Sequence, residues 1–354
     1  MNSRERVLTA LNHEEPDRVP IDIPYTPEAA DKLVTYLSRE KQIEAGPDDI
    51  PLVMNHDILA ASHGIGSSYY AREEEEYICE WGITWKWITL PTGGRYTEMV
   101  GHPLADESKL SSYSCPNPAK TTRYDRMREL ITEYGATHAI CGGMGSTLFE
   151  PAWHLRGFET FLMDLVANKD FAHELLDKVF DFQLETGKIL ADIGADLLKL
   201  GDDHGTQSSL MMSVGTFREF FKHRYARLFS AYKEVKPDIK IAFHSDGNIE
   251  PLLPDLIETG VDIFQAVQPL SIDPGKIKKL YGDRLSFWGT VDIQEVMPFG
   301  TPADVEKEIR LRIETVGKGG GLILAPSHAI QPDVPLENIL SFYSAAEKYG
   351  YYPV

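Results

Sequence analysis

From residue 138 to residue 348 the chain repeats one unit six times: a short apolar run, a polar or glycine-rich end, then helical spacing. His138-Ala139-Ile140-Cys141-Gly142-Gly143 opens the series, with helical periodicity following over Phe158 to Ile193. The next run ends at Asp202 and Asp203, before a helix with Phe217, Phe220, Phe221, Leu228 and Tyr232 as its stripe. Ile241-Ala242-Phe243 ends at His244 and Asp246, Asp262 to Val267 near Gln268, Leu285 to Gly289 at Thr290 and Asp292, and Gly321 to Pro326 at Ser327 and His328. Alternation of this kind implies parallel strands joined by helical crossovers. Six units, with more supplied by the first 130 residues, predict an α/β fold closed into a (β/α)8 TIM barrel. No G-x-G-x-x-G follows an early strand, so a dinucleotide-binding sheet has no support. The expectation is a single domain over residues 1–354, in which residues 1–130 include an N-terminal helical extension and a Trp-rich hairpin.

A barrel gathers the C-terminal ends of its strands at one mouth. Asp202, Asp203, His244, Asp246, Gln268, Asp292 and His328 are therefore expected to converge despite their separation in sequence. His244 and Asp246 share strand parity and leave the backbone on one face. They read as a metal-ligand or acid–base pair, or as a strand-end histidine held by a turn aspartate. Parity couples Asp203 with Lys199 and Asp202 with Leu200. Glu150 and Arg156, in LFEPAWHLRGFE, can reach the mouth from the loop after the first of these strands, although Arg156 also suits a structural ion pair. Asp57 precedes an apolar run, a position equally good for a helix N-cap.

Charge and cysteine usage narrow the function. A formal net charge of −19 opposes nucleic acid or an anionic membrane as partner, since both require a basic face. Cys79, Cys115 and Cys141 lie far apart with no CxxC, which suits a reducing compartment and excludes a thiolate zinc finger. With no apolar run of membrane-spanning length and no signal-peptide core, the expected location is cytoplasmic. DRVPIDIPYTP is extended, because Pro20 and Pro24 cannot sit within a helix. YICEWGITWKWITL alternates around Gly82 like a hairpin bearing Trp81, Trp85 and Trp87, residues of core packing or of a lid or subunit contact.

RERVLTALNHEEPDRVP, HSDGNIEPLLPDLIETGVD and GGGLILAPSHAIQPDVPLENI together resemble the uroporphyrinogen decarboxylase superfamily, which also contains zinc-dependent methyltransferases of corrinoid chemistry. The resemblance spans nearly the whole chain and implies a (β/α)8 barrel, often homodimeric. Its departures point to a branch. The arginine-bearing RQAGRY motif of true decarboxylases is missing after RVPIDIPY. Asn55-His56-Asp57-Ile58-Leu59 resembles their FSDIL, with Asp57 at the catalytic aspartate, and GHGI is replaced by Ser327-His328-Ala329-Ile330. A tetrapyrrole with many carboxylates needs several cationic partners, which suits this acidic chain poorly.

Methyltransferases of this superfamily that act on coenzyme M hold zinc with a His-x-Cys pair and a later cysteine. Here the pair is His244-Ser245-Asp246, and the later position falls near Ser327-His328. Nitrogen and oxygen ligands leave zinc more electrophilic than thiolates do, better suited to an ether oxygen that must depart. The branch resembled is the substrate-side methyltransferase of O-demethylases. That resemblance implies zinc on His244, Asp246, His328 and Glu150, catalytic roles for Asp57 and Asp203, and substrate contacts from Asp202, Arg156, Gln268 and Asp292. It also implies a small methoxylated (phenyl methyl ether) substrate and a corrinoid carried by a partner protein. The alternatives are a metal-free carboxy-lyase of the same superfamily, using Asp57 and a histidine, and a non-catalytic corrinoid-binding module.

Overall fold

Apolar runs of five to eight residues form the strands, and the barrel closes on itself through one segment too short and proline-bound to look like a strand. The computed structural model describes residues 1–69, 71–89 and 95–352. After the first barrel strand, β1 (Ile58–Ser62), comes a small antiparallel sheet of β2 (Glu76–Ile78), β3 (Thr84–Thr89) and β4 (Arg95–Gly101). The barrel resumes with β5 (Ala139–Ser146), β6 (Leu197–Gly201), β7 (Lys240–His244), β8 (Ile263–Val267), β9 (Ser286–Val291) and β10 (Leu322–Pro326). These strands lie in the order β1-β5-β6-β7-β8-β9-β10, every neighbour parallel.

Residues 19–23 fill the eighth place, between β10 and β1. Ile21 bridges Leu324 in parallel, the Leu324 N–H donates to the Pro20 carbonyl at 2.8 Å, and the Asp22 N–H donates to Leu324 at 3.2 Å. On the other side the Asp57 N–H donates to the Ile21 carbonyl at 2.9 Å. Pro20 lacks an N–H and contributes only its oxygen, so the prolines that forbid a helix here are compatible with the seam. The (β/α)8 expectation holds.

Strand alternation divides the core in two. Outward residues such as Leu59, Leu200 and Phe243 pack beneath the helices, while Ile58, Cys141, Leu197, Ala242, Trp288 and Ile323 fill the barrel axis. The helix Ser3–Leu11 closes the floor. Asn2 caps it in a reciprocal box with Glu5, with bonds of 2.8 and 3.0 Å. Its Val7 and Leu11 join the axial cluster at 0% and 3% exposure, each worth about 1.5–3 kcal/mol of burial. At the other end Ala60 and Ser62 are exposed despite their inward register, so the mouth is open.

The hairpin forms, with a third strand beside it. Trp81 and Trp85 are 1% and 0% exposed and pack against Phe182 and Tyr69, so these two indoles are core and are offered neither as a lid nor as a subunit contact. Trp87 lies further out and donates its indole N–H to the Arg72 carbonyl at 2.9 Å; Leu90, at the end of the motif, is outside the described residues. Asn168 breaks the long helical region into Phe158–Ala167 and Lys169–Ile193. Among the described residues no helix is long and apolar enough to cross a membrane.

Candidate metal centre at the barrel mouth

Three adjacent strands bring the site together. Gly201, the last residue of β6, is in register with His244, the last of β7, and His244 with Gln265 of β8. A Cβ on Gly201 would fall 2.0 Å from the His244 carbonyl oxygen, so only glycine lets the two strand ends meet this closely. Beyond the strands, the ladder continues through Asp202 N–H to His244 O at 3.0 Å and Ser245 N–H to Gln265 O at 3.0 Å. The Asp246 N–H donates to Asp203 Oδ1 at 2.7 Å, and the Gly247 N–H to Gln268 Oε1 at 2.5 Å.

Asp203, His244 and Asp246 present one ligand atom each within 4.8 Å of one another. The Gln265 side-chain oxygen lies 2.5 Å from His244 Nδ1, which fixes the proton there and leaves the Nε2 lone pair free. Nε2 faces Asp203 Oδ1 at 3.6 Å. Asp246 Oδ1 is buried without a hydrogen-bond partner. His244 Nε2 and the carboxylates of Asp203 and Asp246 are thus all acceptors, and the Asp246 N–H is already on Asp203 Oδ1. One imidazole and two carboxylates form a donor set that fits zinc with positions left open for substrate. Gln265→Leu is expected to lower metal affinity about 10- to 100-fold by freeing the His244 ring, measured by competition with a chromophoric chelator.

Burial, reinforced by Asp203, raises the Asp246 carboxyl above its usual range against the pull of His244. Glu150 is raised well above its usual range, first by burial and then by Asp203 and Asp202. His328 is exposed, its ring centre 6.5 Å from that of His244. Both residues border the triad without belonging to its tight cluster.

The uroporphyrinogen decarboxylase family matches residues 92–349, most of the chain. The chain belongs to that family. Relatives within it include the methylated-thiol–coenzyme M methyltransferase of Methanosarcina mazei, 28% identical over 64% of this chain and 55% of that protein. The methylcobamide:CoM methyltransferase MtaA of Methanosarcina barkeri is 25% identical over 59% of this chain and 58% of its own. The uroporphyrinogen decarboxylase of Nostoc punctiforme is 23% identical over 71% and 67%. The chain thus aligns with little more than half the length of the first two. A solved methyltransferase from Methanosarcina mazei superposes with a TM-score of 0.73 over 99% of both chains at 20% identity, which establishes the shared fold.

Against this family frame, several expected site residues have other duties. Asp57 stands before β1, at the floor, where Arg6, Arg18 and the Ile21 N–H hold its carboxylate at 2.6, 2.7 and 2.8 Å. It is at the opposite end from His244 and does not meet the catalytic expectation. Asp202 is fully buried and accepts from the backbone of Thr147, Leu148 and Glu150 and from the Tyr225 hydroxyl, which leaves nothing for a substrate. Arg156 is buried against Asp164 at 2.8 Å and the carbonyls of Leu104 and Ala105, the structural ion pair rather than a mouth residue. Asp292 accepts from the N–H groups of Gln294, Glu295 and Val296 as a turn cap. Gln268 shapes the loop through Gly247 instead of projecting into the mouth. Asp203 joins the ligand cluster, where the resemblance implied a catalytic role.

Four contributors were not singled out from the sequence. Gln265, Lys199 and Trp288 have inward register, and Asp22 lies between the outward-facing Ile21 and Ile23 of the closing segment. Period-two counting from the apolar inward positions Ile263 and Leu197 finds Gln265 and Lys199. A cavity of about 670 Å³ lies at the floor, lined by Arg6, Arg18, Asn55 and Tyr343. Its arginines are already paired with Asp17 and Asp57, and none of the triad borders it.

Proposed function

We propose that the protein is a zinc-dependent methyltransferase that moves a methyl group from a small methoxylated substrate, such as a phenyl methyl ether, to the cobalt of a corrinoid carried by a partner protein. The observation that carries this reading is that Asp203, His244 and Asp246 each bring a ligand atom within 4.8 Å of the others, with Asp246 Oδ1 buried and without a hydrogen-bond partner. Membership of a family whose relatives include corrinoid and thiol methyltransferases supports the methyl-transfer class. The absence of cysteine from the ligand set favours an ether oxygen over a thiol.

A zinc ion on Asp203, His244 and Asp246 would supply Lewis acidity to the oxygen that keeps the C–O electron pair. Gln265 orients His244, and Asp203 fixes the Asp246 turn through its backbone N–H, so the ligands are positioned before substrate arrives. Glu150, whose buried carboxyl favours its protonated form, would be the group to pass a proton to the departing oxygen once the methyl group has left. The open mouth gives a partner-borne cofactor access to the methyl carbon. Metal-free lyase chemistry has less support, because Asp57, the carboxylate it would use, is engaged at the floor.

His244→Ala is expected to drop zinc from about one per chain to a small fraction and to slow methyl transfer at least ~100-fold, with circular dichroism unchanged. Full zinc content together with full turnover in that variant would overturn the assignment. Carbon dioxide released from a carboxylated substrate by zinc-free wild type would put the lyase in its place.

A further inference from the structure

Below the triad the lumen holds an ammonium group that forms no ion pair among the described residues. The barrel strands carry two lysines, Lys199 on β6 and Lys240 on β7. Lys240 is at the floor, donating to Asn12 Oδ1 at 2.9 Å. Lys199 has the same parity as the axial residue Leu197, so it points inward one inward position beneath Gly201. Its Nζ lies 5.2 Å from the centre of the Trp288 ring, and among the described residues it makes no hydrogen bond or ion pair. Its strand partners are Gly143 and Ala242, whose small size leaves room around the head group. Lys199 is close enough to the triad to act electrostatically on Asp246. Asp22, a second carboxylate on which Lys199 acts electrostatically, forms no ion pair with it among the described residues.

A cation that rests on an aromatic face, with no carboxylate at ion-pair distance, retains its capacity to bind an anion. The inward step from Lys199 to Asp203 spans four residues, roughly 13 Å of strand less the reach of the lysine, which suits the two ends of a small molecule. We propose that Lys199 is a specificity-determining residue: the substrate whose methylated heteroatom lies at Asp203, His244 and Asp246 carries a carboxylate that pairs with the Lys199 ammonium. The substrate class is then methoxylated carboxylic acids, such as methoxybenzoates or methoxyacetates, rather than neutral ethers. The inference rests on the triad as the reacting end, and its test uses binding rather than turnover, so the two can fail separately.

The probes are 4-methoxybenzoate and methoxyacetate, with anisole as the neutral control, titrated calorimetrically into zinc-loaded protein. Wild type should bind at least one carboxylate more tightly than anisole, and rising salt should weaken that binding. Lys199→Met should lower the carboxylate affinity about 10- to 100-fold without changing that for anisole, and Lys199→Arg should restore part of it. A purely structural lysine would instead lower the melting temperature and leave the carboxylate preference intact. Wild type that binds neither carboxylate, or Lys199→Met that binds them as wild type does, overturns the proposal while leaving the methyl-transfer reading to its own zinc and turnover test. Lys199-dependent carboxylate binding without methyl transfer supports the anion site and counts against the reaction.

Discussion

Asp57→Ala is expected to destabilise the fold by about 3–5 kcal/mol, roughly 5 °C in melting temperature for a chain of this length, with zinc content and mouth chemistry unchanged below the transition. The carboxylate is 0% exposed and serves three partners: Arg6, Arg18 and the Ile21 N–H. Its own N–H meets the Ile21 carbonyl, so one residue fastens the closing segment to β1 through both backbone and side chain. Removing it does not strand both arginines equally. Arg6 keeps Asp17 at 2.7 Å, whereas Arg18 retains only the Val19 carbonyl at 2.9 Å. Arg18 borders the floor cavity, and water entering there offsets part of its loss, which favours the lower end of the range. Asp57→Ala with Arg18→Met should recover part of the deficit, and the double-mutant cycle reads the coupling directly. A catalytic Asp57 would behave in the opposite way, losing turnover with little change in melting temperature.

The barrel was legible because the period of its units survives in the apolar pattern. Its closing strand was not, because residues 19–23 hold only a few ladder bonds and the prolines there forbid a helix without naming a strand. The two ends of the barrel can nonetheless be told apart from sequence. Asp57 precedes the apolar run Ile58-Leu59, which places it at a strand start and hence at the floor, while His244 ends its run and faces the mouth. A resemblance to FSDIL drew Asp57 toward catalysis against that simple rule. Asp202 and Asp203 also differ in a readable way. Leu200 faces the helices and Lys199 the axis, so extending the alternation turns Asp202 outward and Asp203 inward. Arg156 and Asp292 were harder to place, because neither lies on a strand and their partners, Asp164 and the turn after β9, are set by loop geometry.

Asp202→Ala should remove roughly 3–5 kcal/mol of stability, and the metal site should weaken with it. Each stranded donor costs ~1–3 kcal/mol, and Thr147, Leu148, Glu150 and Tyr225 all donate to this one carboxylate. The loop they build carries Glu150 to the triad, so its loosening reaches the mouth without any contact between Asp202 and substrate. Protonation distinguishes this role further. Burial pushes the Asp202 carboxyl up to about 6, against the N–H and hydroxyl bonds that favour its charged form. A carboxyl raised in the folded state binds its proton more tightly there than when unfolded, so its contribution to stability falls as pH rises from about 4 to about 6. Asp202→Asn lacks that titration. The stability gap between wild type and Asp202→Asn should therefore narrow by about 2 kcal/mol between pH 4.5 and pH 7, measured by urea unfolding. A gap independent of pH, or an Asp202→Ala protein of wild-type stability whose only defect is a raised KM, would return Asp202 to the substrate.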